Sequence, residues 1–196
     1  MVVLIGLAHI VATVNAALLA LGRYVGMICL TVMVVVILVQ VFCRYVLGNA
    51  LAWPDETSRF LMLWLTGLMA PTAFRRGGFV AIEMLRNLLP ALLATLVALF
   101  CLALCALVLW FGIRIGWSEA TGFSGRFDTV SMNVPTSLDL SEWRKVPRAW
   151  MMASLATGVT LLFAVNIELI LRSVITLMGG GSRLPVIPET QNVGAE

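Results

Sequence analysis

The chain has 196 residues, of which 61% are hydrophobic and 12% charged, and its net charge is +3. Soluble domains carry about a quarter charged residues, and a water-soluble fold of this size has too little interior to hide this much apolar surface, so the implied solvent is lipid. The weak basic excess excludes the charged stripe of a nucleic-acid protein, and a single histidine, His9, excludes a His-based triad, a zinc site or haem anchoring.

Residues 2–21 are apolar enough to cross a bilayer, yet only Gly22 and Arg23 separate them from the next apolar run. Two antiparallel helices need a longer loop than that. One continuous helix over 2–44 would be about 64 Å long and would overshoot the membrane. The expectation is a separate N-terminal helix, lying on the surface or steeply tilted, with His9, Thr13 and Asn15 as its polar groups. A fifth span is the rival. No basic residue precedes Arg23, so a cleaved secretory signal is not expected.

The first span is expected over 24–44, interrupted only by Thr31 and Gln40. Gln40 is placed to bond between helices. A second span over 56–74 opens with Trp53-Pro54-Asp55-Glu56. Proline suits a first helical turn, the two carboxylates suit the positive end of the helix dipole, and Trp53 suits the headgroup belt. Arg59 lies four residues after Asp55 and three after Glu56, spacings that allow a pair. Pro71 cannot donate to the Gly67 carbonyl and predicts a kink. The helix ends in Arg75-Arg76-Gly77-Gly78, basic residues at the negative end of the dipole and then glycine for a left-handed terminus.

Residues 79–89, FVAIEMLRNLL, put Glu83, Arg86 and Asn87 opposite the apolar positions and read as an amphipathic arm helix in the membrane plane. Pro90 then opens a third span over 91–113, which has no charge. An outer loop over 114–148 mixes five basic and four acidic residues, and is long enough to predict short helices or an ordered cap. The fourth span, 150–171, carries Asn166 and Glu168 near its end, and Glu168 sits four residues before Arg172, a pairing distance. An ionisable group in lipid is a functional candidate by default, but near a helix end local pairing or a subunit contact outweighs ion coupling. Residues 179–196, which open on three consecutive glycines and contain two prolines, read as a flexible tail.

The fold expected is thus all-α. It is one helical membrane domain over 1–178 with four transmembrane helices, an N-terminal helix and an interfacial arm. Runs of twenty residues without alternation exclude a barrel. With the N-terminus inside, six basic residues flank the inner side and seven the outer. The Arg75-Arg76 cluster and the low weight of long loops favour both termini in the cytoplasm. Cys29, Cys43, Cys101 and Cys105 all lie in apolar runs and read as small hydrophobes. Gly179-Gly180-Gly181-Ser182 lacks the lysine of a phosphate loop. No catalytic set, substrate site, metal site or cofactor is expected, and no enzyme.

The ordered motifs resemble a known family. Gln40-Val41-Phe42-Cys43-Arg44-Tyr45-Val46-Leu47-Gly48-Asn49, then Trp53-Pro54-Asp55-Glu56-Thr57-Ser58-Arg59, then Phe74-Arg75-Arg76-Gly77-Gly78-Phe79-Val80-Ala81-Ile82-Glu83, is similar to the small membrane subunit of tripartite ATP-independent periplasmic (TRAP) transporters. Pro147 and Trp150 resemble the family's entry to its last helix, with wider spacing. Two features depart: Phe79 stands where a polar residue usually follows the glycines, and the stretch around 129–143 lengthens the outer loop. The resemblance implies a scaffold in the bacterial inner membrane. Its partners would be a large permease subunit, which holds the substrate and sodium sites, and a periplasmic solute-binding protein, the three importing small organic anions on a sodium gradient. The candidates for structural or partner contacts are Arg44, Trp53, Asp55, Glu56, Arg59, Arg75, Arg76, Gly77, Gly78, Glu168 and Arg172. The competing classes are a structural or assembly subunit of an unrelated complex and a stand-alone small carrier. The carrier would need polar groups converging at mid-membrane, for which only Gln40, Thr66, Thr160 and Asn166 are available.

Overall fold

The computed structural model describes residues 2–48, 51, 53–77, 90–135 and 143–178. The expected arm helix over 79–89 and tail over 179–196 lie outside the described residues. Four long helices carry the fold: α1 (Val2–Tyr45), α2 (Trp53–Arg75), α3 (Ala91–Thr121) and α4 (Ala149–Leu177). Between α3 and α4 come a single 3-10 turn, Phe123–Arg126, and an antiparallel pair, β1 (Asp128–Pro135) with β2 (Trp143–Pro147). Asp128 stands opposite Pro147 and Pro135 opposite Trp143, with an irregularity in the register between Asp128 and Asn133. The outer loop therefore starts later than residue 114, because α3 continues to Thr121.

The expected separate N-terminal helix is corrected: α1 runs unbroken for 44 residues through Gly22 and Arg23. The cause is legible in its burial. Its least exposed positions recur at Ala8, Ala12, Asn15, Leu19, Gly22 and Gly26, then at Cys29, Met33, Val36, Gln40 and Cys43. Steps of four and three alternate throughout, a 3.5-residue period that keeps one narrow seam against neighbouring helices. Gly22 belongs to that seam. A Cβ there would stand 3.4 Å from the Leu68 carbonyl oxygen, so the glycine serves close approach within the helix and not its end. The rest of the circumference is apolar and exposed, as lipid permits.

Among the described residues, three helices are long and apolar enough to cross a membrane: Leu4–Tyr45, Leu92–Thr121 and Ala149–Leu177. The helix expected as the second span, α2, is not among them. Threonines, Gly67 and Pro71 dilute its apolar run, and Pro71 and Thr72 are buried within the protein. A helix that faces protein does not need the uniform greasiness of one that faces lipid.

The chain divides into two compact units. One draws on Met1–Leu21, Ala70–Phe111 and Thr160–Glu196, the other on Gly22–Met69 and Gly112–Val159. In the first, Val165 and Ile175 are buried, and Trp110 meets Phe163 with ring centroids 6.0 Å apart. In the second, contact rests on small residues. A Cβ on Gly67 would lie 2.6 Å from the Ser154 carbonyl oxygen, and one on Gly158 would lie 2.8 Å from the Gly67 Cα. Ser154 and Gly158 are four apart on α4, so α2 presses its backbone into a small-residue groove. Ala156, on another side of α4, takes Gly116 of α3 in the same way, 3.2 Å from where a Cβ would stand.

Gly67→Val or Gly158→Val is expected to lower the melting temperature of the chain in detergent, by the equivalent of about 1–3 kcal/mol of overpacking strain. Gly6→Ala, where nothing lies within 4 Å of an added Cβ, is the silent control. Equal melting of all three variants would refute the close crossing.

Candidate functional site

The polar residues of the first unit converge on one carboxylate. Glu168 on α4 is wholly buried. The Arg75 Nε, at the last turn of α2, donates to Glu168 Oε2 at 3.0 Å and to Oε1 at 3.2 Å, while its Nη2 donates to Oε1 at 2.7 Å. The same Nη2 also reaches the Ala12 carbonyl of α1 at 3.0 Å. Asn15 Nδ2, one turn further along α1, donates to Glu168 Oε2 at 2.9 Å and to the Ala164 carbonyl at 3.2 Å. Arg172, one turn beyond Glu168, closes the set through Nε and Nη2, each 3.2 Å from Oε1. Both arginine side chains are only 13–14% exposed.

One carboxylate thus joins α1, α2 and α4. Two residues before it, Asn166 Nδ2 donates to the Leu102 carbonyl at 3.0 Å and adds α3. A carboxylate that accepts bonds from two guanidinium groups and an amide is held as an ion by charge-assisted hydrogen bonds. Its chemistry is that of a fastener: both oxygens are engaged inside the chain.

Glu168–Arg172 has the pairing its spacing predicts. The stronger partner, Arg75, is 93 residues away and was not legible as such. Asn15 was recognised as polar but not as a ligand of Glu168. A lone Asn in the Ala8, Ala12, Leu19, Gly22 seam was the available signal. Arg76 follows the helix half-buried, and Gly77 ends it in the left-handed conformation at φ 79°. Gly78 lies outside the described residues.

At the α1–α2 junction, in the second unit, Gln40 Nε2 donates to Asp55 Oδ1 at 2.8 Å. This replaces the Asp55–Arg59 pair that spacing allowed. Arg59 and Trp53 are exposed, Glu56 is half-buried, and the Arg44 guanidinium lies 6.0 Å from the Tyr45 ring centroid.

The comparison with known families bears on this arrangement. The family model described as "Tripartite ATP-independent periplasmic transporters, DctQ component" matches residues 33–176. The chain belongs to this family. It is therefore a component of a TRAP-type transporter, from a family of transport proteins and not of enzymes, and a multi-pass protein of the bacterial inner membrane. No curated protein matches the chain. The DctQ match takes in Gln40, Asp55, Arg75, Glu168 and Arg172, whereas Ala12 and Asn15 precede it. The acid–base core of the fastener thus lies within the DctQ region, and the bonds from α1 are added from outside it.

Glu168→Leu is expected to strand two buried cations and cost about 3–5 kcal/mol of stability. Adding Arg75→Leu to it should restore much of the loss, because the better-paired cation goes with its partner. Thermal melting of the single and double variants in detergent measures this coupling. Additive losses would rule out the pairing.

Proposed function

We propose that this chain is the small scaffolding subunit of a secondary transporter whose large permease subunit, supplied by a periplasmic solute-binding protein, imports small organic anions on a sodium gradient. The observation that carries this reading is the Glu168 centre. It is the ionic cluster among the described residues of the spanning helices, and every oxygen of its carboxylate is taken up by Arg75, Asn15 and Arg172. A coupling site must bind and release an ion. A carboxylate enclosed by its own chain instead braces helices, and the substrate and sodium sites then belong to the larger partner.

In this reading α2 is a fourth span, sheltered by α4 and by partner protein, and both termini are cytoplasmic. The exposed residues at the α1–α2 junction, Arg44, Trp53 and Arg59, form a surface that seats the large subunit, and Arg76 beyond the end of α2 is a separate contact. Arg75 and Glu168 act from inside by holding the helices that carry this surface.

Alkaline phosphatase fused after residue 128 should be active, and fusions at either terminus inactive. Three spans in place of four would put the two ends on opposite sides. The purified chain should show no saturable binding of organic anion or sodium, while the complex with its large subunit and binding protein should take up anion only when sodium is present. Arg76→Glu should reduce co-purification of the large subunit and uptake together, with the melting temperature of the isolated chain unchanged. Sodium and substrate binding by the lone chain would end the scaffold reading.

A further inference from the structure

We propose that the turn between α3 and β1 is a membrane-interface anchor, with Phe123 and Phe127 inserted among phospholipid headgroups. This inference rests on α3 and α4 as spanning helices and not on the proposed transport role.

The two rings stack edge to face, with centroids 5.2 Å apart at 86°, and both point away from the protein: Phe123 is 77% exposed and Phe127 52% exposed. Their height is fixed by the backbone. A Cβ on Gly122 would lie 2.5 Å from the Ser118 carbonyl oxygen, so the chain folds tightly back over the end of α3. A Cβ on Gly125 would lie 2.5 Å from the Ala120 carbonyl oxygen and 3.2 Å from the Ala149 Cβ, which seats the turn between the last turn of α3 and the first residue of α4. The Arg148 N–H donates to the Phe127 carbonyl at 2.8 Å, and Thr129 Oγ1 donates to the Val146 carbonyl at 2.8 Å, tying the exit of the turn to the segment that enters α4.

The pair therefore stands level with the start of the apolar run of α4, where Trp150 is exposed. Trp117, about one turn below the end of α3, is exposed as well. Trp150 to Arg172 along α4 spans 22 residues, about 33 Å, close to the hydrocarbon thickness of about 30 Å. This rim thus falls at one boundary of the hydrocarbon when Glu168 and Arg172 fall at the other. Aromatic rings with tryptophan favour that boundary, where an apolar body meets wet headgroups. The charge also fits a lipid surface. Among the described residues, Arg114, Arg126 and Arg148 are exposed around the rim beside Glu119 and Asp128, cations placed to meet lipid phosphate groups. The bilayer is the occupant this combination selects, since α3 and α4 already bring it to the foot of the turn.

Spin labels at Phe123→Cys, Phe127→Cys and, as the aqueous control, Lys145→Cys test the proposal in full-length chain whose native cysteines are replaced by alanine. The chain is reconstituted in phosphatidylethanolamine–phosphatidylglycerol vesicles. The ratio of oxygen to nickel-chelate accessibility should be several-fold higher at 123 and 127 than at 145. Equal ratios overturn the anchor. A second measurement keeps the native cysteines: benzoylphenylalanine in place of Phe123, irradiated in cell membranes, should yield phospholipid adducts. A cross-link to protein, or no adduct, overturns it.

Discussion

A carboxylate taken out of water must be matched by charge and hydrogen bonds, and Glu168 sets that condition for half of this structure. Three helices supply its partners, Asn15 from α1, Arg75 from α2 and Arg172 from α4 itself, and the match works only when all three stand at one height. The cost of leaving such a group unpaired is several kcal/mol, whereas an apolar contact between helices in lipid gains little over contact with acyl chains. The ion cluster thereby sets register, and the surrounding packing follows it.

Where charge does not fix the helices, close approach does. Gly67 against Ser154 and Gly158, and Gly116 against Ala156, let backbones meet at distances that no larger residue permits. The seam of α1 follows the same logic with alanine, glycine and cysteine at most positions and one amide, Asn15, that reads the carboxylate. Both devices suit a protein whose outside is as apolar as its inside. Specificity of packing then comes from size and polarity, because greasiness is everywhere. Helices held in this way leave wide apolar outer faces exposed.

The helical class was plain from composition, since runs of about twenty apolar residues admit little else. The pairing of Glu168 with Arg172 was plain because helix geometry fixes side chains four apart. The bond from Arg75 was not, since nothing local to either residue shows that the end of α2 meets the late part of α4. Gly22-Arg23 looks like a break in α1 when read by hydropathy, but the heptad rhythm from Leu19 through Gly22 to Gly26 carries the helix through it. Hydropathy alone does not separate α2 from the other spans, whereas Gly67, Pro71 and Thr72 mark a side of it that faces protein. The β1–β2 pair sits in a polar loop whose sequence has no strong alternation, and its register emerged only with the fold.

The Glu168–Arg172 pair has a consequence for biogenesis. Ribosomes deliver this chain from the N-terminus, so α1 and α2 leave the translocon well before α4 is made. A helix with a bare glutamate would resist partitioning into the bilayer. Because Arg172 lies one turn away, α4 brings its own counter-ion and can enter as a neutral unit. Arg75 stands at a helix end, where a long stem can reach the headgroups when its partner is absent. One carboxylate thus has a counter-ion within its own helix, Arg172, and partners on two other helices, Arg75 and Asn15.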